Sequence, residues 1–363
     1  MTDLSTAAPA VRDFNLPETL EQVALETLEL AAAGGRAEVE VSLAAGEGFS
    51  IAVRDGACET LGYERDKSLA VTLYLDGQKG SATTTDFSSA ALAQTVAAAR
   101  LIAENGEADE YAGLAAPEYL ATDCPNLDLD HPWAIEAPAA IELAMRCERA
   151  ALDSDPRIKQ SDGANVSRYR STRAYANSHG FHAAYRGTRH GLSAVMIAAD
   201  ENGAMQRGYW YNSGRNADDF DSAEQIGQIA AARTTAKIGA KKIATTDLPV
   251  IFEPRLAAGL IGHLIGAISG GAQYRRASFL LDALDTVVLS EHLSLTEQPH
   301  IPGAIGSAPF DSDGVATQEK VIVEQGKLAT YLLSAYAARR LKRTPTGNAG
   351  GPHNLVLTSG QRD

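Results

Sequence analysis

The sequence has few cysteines and no long apolar run. Its three cysteines, Cys58, Cys124 and Cys147, are widely spaced and form no CxxC pair. This argues against a disulfide framework or a cysteine-based zinc site and fits a reducing compartment. No stretch approaches the roughly 20 apolar residues of a membrane-spanning helix, and residues 1–12 lack the pattern of a secretory signal. We therefore expect a cytoplasmic protein with a mobile tail at residues 1–15.

Basic residues are outnumbered by acidic ones. The 32 Lys and Arg against 46 Asp and Glu give a net charge of −14, which disfavours binding to nucleic acid or to an anionic membrane surface. Hydrophobic residues make up 45% and charged residues 21%, a globular composition. The 363 residues are enough for two domains with cores of their own.

Several motifs of nucleotide and hydrolase chemistry are absent. No GxGxxG or GxSxG occurs, and no P-loop lysine follows Gly270-Gly271. The segment Asp311-Ser-Asp-Gly314 lacks an EF-hand glycine and glutamate in register, so we interpret it as a tight polar turn. His179, His182 and His190 are close in sequence, but in a strand the first two point to opposite faces. We interpret them as surface or loop residues rather than zinc ligands.

Periodicity and turn signals predict an α+β fold, with a helix-plus-antiparallel-sheet half at residues 16–243 and a strand-rich half at residues 244–363. In the first half, the predicted elements are a helix at 20–31, strands at 39–43, 49–53, 69–75 and 81–85, hairpin turns at Asp55-Gly56 and Asp76-Gly77, a helix at 88–103, a surface connection at 107–132, a helix at 135–152, a second antiparallel meander at 168–211, and a helix with a Ser222/Gln225 capping box. In the second half they are a strand at 248–252, a helix from Pro254, a hairpin across Gln325-Gly326 and a helix from Ser334.

The helix predicted at residues 255–268 is unusual. It contains Gly259, Gly262 and Gly266 in a Leu/Ile/Ala background, although each interior glycine costs about 1 kcal/mol relative to alanine. Close approach of another backbone would be one reason for them. We favour a buried helix packed tightly under a sheet, with His263 as a core histidine.

Several segments occur together in an order and at a spacing shared with a known family. They are Asn177-Ser178-x-Gly180, the glycine-spaced helix from Pro254 to Gly271, Ser278-Phe279-Leu280, Phe310-Asp-Ser-Asp-Gly314 with Thr317, the hairpin with Gly326, the strand at Tyr331, Ala338-Arg339 and Thr346-Gly347-Asn348-Ala349. On these segments the chain resembles the TldD/PmbA proteins, intracellular metallopeptidases that work as a two-subunit assembly. The resemblance covers most of the chain from the first helix onward.

The resemblance also indicates a branch of the family. In the TldD branch, the glycine-spaced helix carries an HExxxH motif whose histidines bind zinc and whose glutamate is the general base. Here Gly262 and Ala267 stand at the histidine positions and His263 at the glutamate position. Glycine and alanine have no ligating atom, so the chain resembles the PmbA (TldE) branch, which the family pattern implies is non-catalytic. We expect no catalytic residue and no metal in this chain, with zinc in the partner subunit.

The resemblance implies a function in proteolysis. The expected partner is a TldD-like catalytic subunit, the expected substrates are unfolded or leader peptides, and a homodimer in isolation is allowed. His263, Arg275 and Arg276 are the candidate substrate-cleft residues. We also hypothesise that an exposed sheet edge accepts an extended peptide by strand addition. Members of the family continue beyond Thr346-Gly347-Asn348, so we expect the C-terminal domain of this chain, which ends at Asp363, to be incomplete.

Two alternatives stay open. The chain could be a stand-alone protein that binds peptides without a catalytic partner. It could also be a hydrolase that uses other residues, such as His263 with a nearby acid.

Overall fold

The computed structural model describes residues 13–360, and its regular elements confirm the α+β class. The helices are α1 (Pro17–Ala33), α2 (Ser89–Glu104), α3 (Ala137–Ser154), α4 (Ala223–Thr235), α5 (Pro254–Ile268), α6 (Gly270–Tyr274) and α7 (Ala335–Leu341). The strands are β1 (Glu38–Arg54), β2 (Ala57–Leu75), β3 (Gln78–Thr84), β4 (Ile158–Asn177), β5 (His182–Ala199), β6 (Met205–Gly214), β7 (Leu293–Glu297), β8 (Lys320–Glu324), β9 (Lys327–Leu328) and β10 (Leu355–Ser359). Residues 1–12 of the predicted tail lie outside the described residues. Within residues 13–360, no helix is long and apolar enough to cross a membrane.

One antiparallel sheet of six strands, in the order β3-β2-β1-β4-β5-β6, forms the frame of the molecule. The central strand β1 pairs with β2 on one side and with β4 on the other, where Glu40 lies opposite Asn177 and Val53 opposite Ala164. The predicted meander at residues 168–211 is therefore not a second sheet, because its strands continue the first one. Pairing on both sides satisfies the backbone N–H and C=O groups of β1.

The strands are longer than the sequence pattern predicts. The strands expected at 39–43 and 49–53 are parts of the single strand β1, which runs without a break through Gly46 and Gly48. The predicted hairpin turns are confirmed, since Asp55 and Gly56 have φ angles of 52° and 72°, the positive values of a tight two-residue turn. In β2, residues 57–66 are exposed although they pair with β1.

Four helices cover one face of this sheet. α1 packs on β1, β4 and β5, and α2 packs on β2 and β3, through a core that includes Leu20, Leu73 and Leu92, which are at most 1% exposed. α3 and α4 pack on β4 and β5 around Met196 and Ile226. The residues that alternate with these along the strands point to the opposite face, which the helices leave uncovered.

The C-terminal part has a smaller sheet and its own core. Four strands pair in the order β10-β7-β8-β9, and they pack with α5, α6 and α7 around Ile268, Leu295, Ile322 and Leu333. The predicted hairpin across Gln325-Gly326 is confirmed between β8 and β9.

Two predictions for the C-terminal part are wrong. Residues 248–252 form no strand, and Ile251 is 99% exposed. α5 is not buried under a sheet, because a Cβ added at Gly259, Gly262 or Gly266 would meet no atom within 4 Å. The helix packs on the core through its C-terminal half and leaves its remaining surface open.

Two arginines tie the C-terminal part to the N-terminal part. Arg339 of α7 donates hydrogen bonds of 2.6, 2.7 and 2.9 Å to three backbone carbonyl oxygens at residues 111–114, in the predicted surface connection. Arg215, just after β6, donates to the carbonyl oxygens of Ala304 and Ile305 at 3.0 Å each. These charged hydrogen bonds cross between the two parts and fix the uncovered sheet face opposite residues 305–312.

Candidate functional site

A cavity of about 750 Å³ lies between the uncovered face of the six-stranded sheet and the C-terminal part. Its floor is made by small side chains, among them Ser42 and Ala44 of β1 and Ser68 and Ala70 of β2. Its other wall is made by residues 305–312 and 349–353. Because these side chains are small, they do not fill the space between the sheet and the C-terminal part, and room for a ligand remains.

Guanidinium groups dominate the charge of this cavity. Arg173 of β4 and Arg189 of β5 rise from the floor and are exposed, and Arg215 stands beside them. Burial lowers the pKa of Arg215, and the positive charges of Arg173 and Arg189 lower it further. The cavity therefore holds a local excess of positive charge in an acidic protein.

Asp311 contributes a carboxylate to the opposite wall. Its side chain accepts hydrogen bonds from the backbone N–H groups of Asp313 and Val315 at 2.9 Å and of Ala349 at 2.8 Å. Burial and the nearby charge of Asp313 raise the pKa of Asp311 to about 7. The predicted tight polar turn at residues 311–314 is confirmed. The hydrogen bonds of the Asp311 carboxylate hold this turn and connect it to residue 349.

A second buried carboxylate fixes the 349–353 wall. Glu297, at the end of β7, is 0% exposed and accepts hydrogen bonds from Lys320 Nζ (2.6 Å) and from the backbone N–H of His353 (2.6 Å). Asn348 Nδ2 adds a bond of 2.8 Å. Burial alone would raise the pKa of Glu297, but the hydrogen bonds from His353 and Lys320 outweigh it and hold the pKa at about 2.

The residues at the expected zinc positions do not supply the donors of a zinc site. Gly262 and His263 are exposed on α5 and Ala267 is buried, and only one of the three carries an atom that can coordinate a metal. Structural and catalytic zinc sites use at least three protein ligands. In the described part of the chain, no group of three or more His, Cys, Asp or Glu residues is placed to hold a metal ion. The donor set of α5 does not fit the metal of the TldD branch.

The predicted substrate-cleft residues lie elsewhere. His263, Arg275 and Arg276 are exposed, and none of them lines the cavity between the sheet and the C-terminal part. Arg275 lies over the ring of Tyr274, 5.3 Å from its centroid. Their assignment to a substrate cleft stays a prediction.

The three histidines of the second meander lie in different surroundings and do not share a site. His179 Nδ1 lies 2.9 Å from the carbonyl oxygen of Ala115, and His182 Nδ1 lies 2.5 Å from Glu21 Oε1. His190 differs from the prediction, because it is 1% exposed and is therefore a core residue. Burial lowers its pKa.

Sequence reasoning missed the cationic cavity residues. The segments around Arg173 and Arg189 carry polar residues at successive positions, so neither strand shows a fully apolar face. An apolar-poor strand in the centre of a sheet indicates a face that contacts solvent or a ligand. The polar residues of β4 and β5 could have indicated such a face, but only if the two segments had been known to form inner strands of the sheet.

Comparison with known proteins places this architecture in a family. Family models for domain 1, the central domain and the C-terminal domain of the PmbA/TldA metallopeptidases match residues 39–103, 130–238 and 245–363. The chain is 42% identical over 335 residues to the metalloprotease PmbA of Escherichia coli, covering 92% of this chain and 74% of that protein. It is 38% identical to a PmbA homolog of Haemophilus influenzae, covering 94% of this chain and 75% of that protein.

Solved structures share the fold. A crystal structure from Bacteroides thetaiotaomicron matches with a TM-score of 0.88 at 27% identity, covering 94% of this chain and 78% of that one. TldE from Thermococcus kodakarensis matches with a TM-score of 0.79 at 19% identity, covering 95% of this chain and 78% of that one, and this likeness concerns the fold alone. The matching domains and the identity over most of both chains show that this chain belongs to the PmbA/TldA metallopeptidase family.

Proposed function

We propose that this chain is the non-catalytic subunit of a TldD/TldE-type metallopeptidase complex that cleaves unfolded or leader peptides. In this proposal a TldD-like partner holds the zinc ion and the general base. The chain described here binds and orients the peptide. It supplies no metal ligand.

The observation that carries the proposal is the chemistry of α5. The helix offers a single imidazole, His263, while Gly262 and Ala267 replace the two further donors that a zinc site would need. A lone imidazole neither retains zinc nor generates a metal-bound hydroxide. The membership of a metallopeptidase family and the lack of donors on this helix are reconciled if the catalytic group belongs to another subunit.

The cavity supports a role in holding peptide. Its floor runs along β4 from Tyr169 to Arg173, about 13–14 Å for four residues of extended chain. A segment of about five extended residues fits over this length, with polar side chains and guanidinium groups beneath it. Buried Glu297 and Asp311 fix the opposite wall, so the volume is preformed, as in most ligand sites.

Reconstitution tests the proposal. We would measure cleavage of an unstructured peptide by this chain alone, by a TldD-like subunit alone and by the mixture, with zinc quantified in each sample. We expect zinc in the TldD-like subunit and cleavage by the mixture, with no cleavage by this chain. Chelator-sensitive cleavage by this chain alone would overturn the proposal.

Size-exclusion chromatography of the mixture adds a second readout. A stable complex is expected between this chain and the zinc-containing subunit. If the two proteins elute separately and this chain alone retains peptide, the chain is a stand-alone peptide-binding protein and the proposed function is wrong.

A further inference from the structure

The floor of the cavity carries two matched pairs of side chains on neighbouring strands. Tyr169 of β4 lies directly opposite Arg189 of β5, and Arg173 of β4 lies directly opposite Tyr185 of β5. Directly opposite residues in an antiparallel pair point to the same face, and all four line the cavity. The floor therefore has an arginine and a tyrosine at each end.

Between the two pairs the floor carries only a serine and a glycine. Ser171 lies opposite Gly187, and a Cβ added at Gly187 would come within 2.6 Å of Arg215 Nη1. The glycine thus lets a third guanidinium lie over the middle of the floor. Arg173, Arg215 and Arg189 form a cationic row along the cavity.

The charge of this row is not balanced by the protein. The sequence has 14 more acidic than basic residues, yet Asp311 is the one carboxylate among the side chains that line the cavity, and three backbone N–H groups bind it. Within residues 13–360, Arg173 and Arg189 form no ion pair with any carboxylate. Such arginines on a surface are often simply solvated. Here they line a cavity between the sheet and the C-terminal part, and their charges lower the pKa of Arg215.

Two acidic residues on the same face of the sheet form no ion pair with the row. Glu64 and Asp66 of β2 lie opposite Gly48 and Gly46 of β1, so β1 separates them from β4. Burial raises the pKa of Tyr169, and the charges of Asp66 and Glu64 raise it further. Neither carboxylate forms an ion pair with the arginines of the row. These two carboxylates form an acidic border beside the cationic row.

The spacing of the outer arginines fits one kind of ligand. Arg189 lies opposite Tyr169 of β4, and Tyr169 is four residues from Arg173. The two arginines are therefore about 13–14 Å apart along the strand direction. In an extended peptide, residues i and i+4 are separated by the same length, and an even separation places their side chains on the same side. Guanidinium groups bind carboxylates with two parallel hydrogen bonds.

We propose that the floor of the cavity binds an extended acidic peptide segment through two side-chain carboxylates four residues apart, one at Arg173 and the other at Arg189. This inference rests on the proposed function and adds a substrate class to it.

Binding of designed peptides to the complete chain tests the proposal. The probes are nine-residue, unstructured peptides with a fluorescein at the N-terminus and an amidated C-terminus, measured by fluorescence anisotropy. One carries glutamates at positions i and i+4, one carries glutamines there, and one carries glutamates at i and i+3. A fourth carries glutamines and a free C-terminal carboxylate, which separates a side-chain site from a terminal-carboxylate site.

We expect the i and i+4 glutamate peptide to bind at least tenfold more tightly than the glutamine peptide, which loses both contacts, and about fivefold more tightly than the i+3 peptide, which keeps one, since each guanidinium–carboxylate contact is worth about fivefold. Arg173→Glu and Arg189→Glu should each remove at least fivefold of this affinity. The double variant should prefer a peptide with lysines at i and i+4. Arg149→Glu is the matched control, because Arg149 is an exposed arginine of α3 far from the cavity lining, and it should leave the affinity unchanged.

Other outcomes overturn the inference without touching the proposed function. Equal affinity for glutamate and glutamine peptides, equal affinity for both spacings, an equal loss in Arg149→Glu, or tighter binding of the free C-terminal carboxylate would each do so. Tighter binding of a single-stranded oligonucleotide would assign the row to a different ligand. If no peptide binds, this inference is wrong, while cleavage by the reconstituted mixture still decides the proposed function separately.

Discussion

Replacing Glu297 by glutamine tests whether one buried carboxylate holds the 349–353 wall of the cavity. Glu297 is fully buried, and Lys320, whose side chain is 12% exposed, donates to it at 2.6 Å. His353, which lines the cavity, donates to it from its backbone. Glu297→Gln keeps the shape of the side chain and removes its charge, so the Lys320 ammonium loses its counter-ion in a site with little water.

The magnitude follows from the pKa of Glu297. Its pKa is lowered from the ordinary value of 4.5 to about 2, and one pKa unit corresponds to about 1.4 kcal/mol. The ionised carboxylate therefore contributes roughly 3 kcal/mol to the free energy of unfolding. Because the pKa is lower in the folded state, this contribution is present above about pH 4.5 and is lost as the pH falls through about 2.

Urea unfolding followed by circular dichroism measures the effect at several pH values. We expect Glu297→Gln to lose about 3 kcal/mol at neutral pH and less than half of that near pH 3. Glu324→Gln on β8 is the control, because Glu324 is exposed, and it should change the free energy by less than about 0.5 kcal/mol. The double variant Glu297→Gln/Lys320→Met should recover much of the loss, since it leaves no unpaired ammonium.

Two results would refute this reasoning. One is a loss below about 1 kcal/mol at neutral pH, which would mean that the hydrogen bonds of Glu297 do not depend on its charge. The other is an equal loss at neutral pH and near pH 3, which would mean that the effect comes from packing rather than from the ionised carboxylate.

Three further predictions concern a close contact, an interdomain link and α5. Gly80→Ala would push its Cβ into the backbone carbonyl of Ala99 in α2, so we expect a loss of about 2–4 kcal/mol in urea unfolding; Gly62→Ala, which has room, should change little. Arg339→Met removes three hydrogen bonds to backbone carbonyls and should lower the free energy of unfolding by about 2–4 kcal/mol, whereas an unchanged midpoint would show that the link is not required. His263→Ala should leave peptide cleavage by the reconstituted mixture within about twofold of wild type, and a loss of more than tenfold would contradict a non-catalytic α5.

Local signals in the sequence predicted local structure well. The Asp55-Gly56 and Asp76-Gly77 turns are present with positive φ angles, and the capping box between Ser222 and Gln225 is formed at the start of α4. These features depend on residues within four positions of each other. Their energies are nearly independent of the remaining fold.

Long-range pairing could not be predicted. The sequence pattern predicted strands in the segments that form β1 and a meander that includes β4, but not that Glu40 pairs with Asn177 across more than a third of the chain. Hydrophobic content also misled the prediction for α5 and residues 248–252. Apolar residues favour burial, but the structure provides contacts only to the side of α5 that carries Leu264, Ala267 and Ile268.

The sequence by itself determined the α+β class, the resemblance to the TldD/PmbA family and the lack of ligating atoms at positions 262 and 267, because each of these depends on residue types or on local order. The tertiary structure alone decided that Arg173, Arg189 and Arg215 meet in one cavity. They lie on different strands or beyond them, and only the register of β4 against β5 and the contact of Arg215 with residues 304–305 bring their charges together.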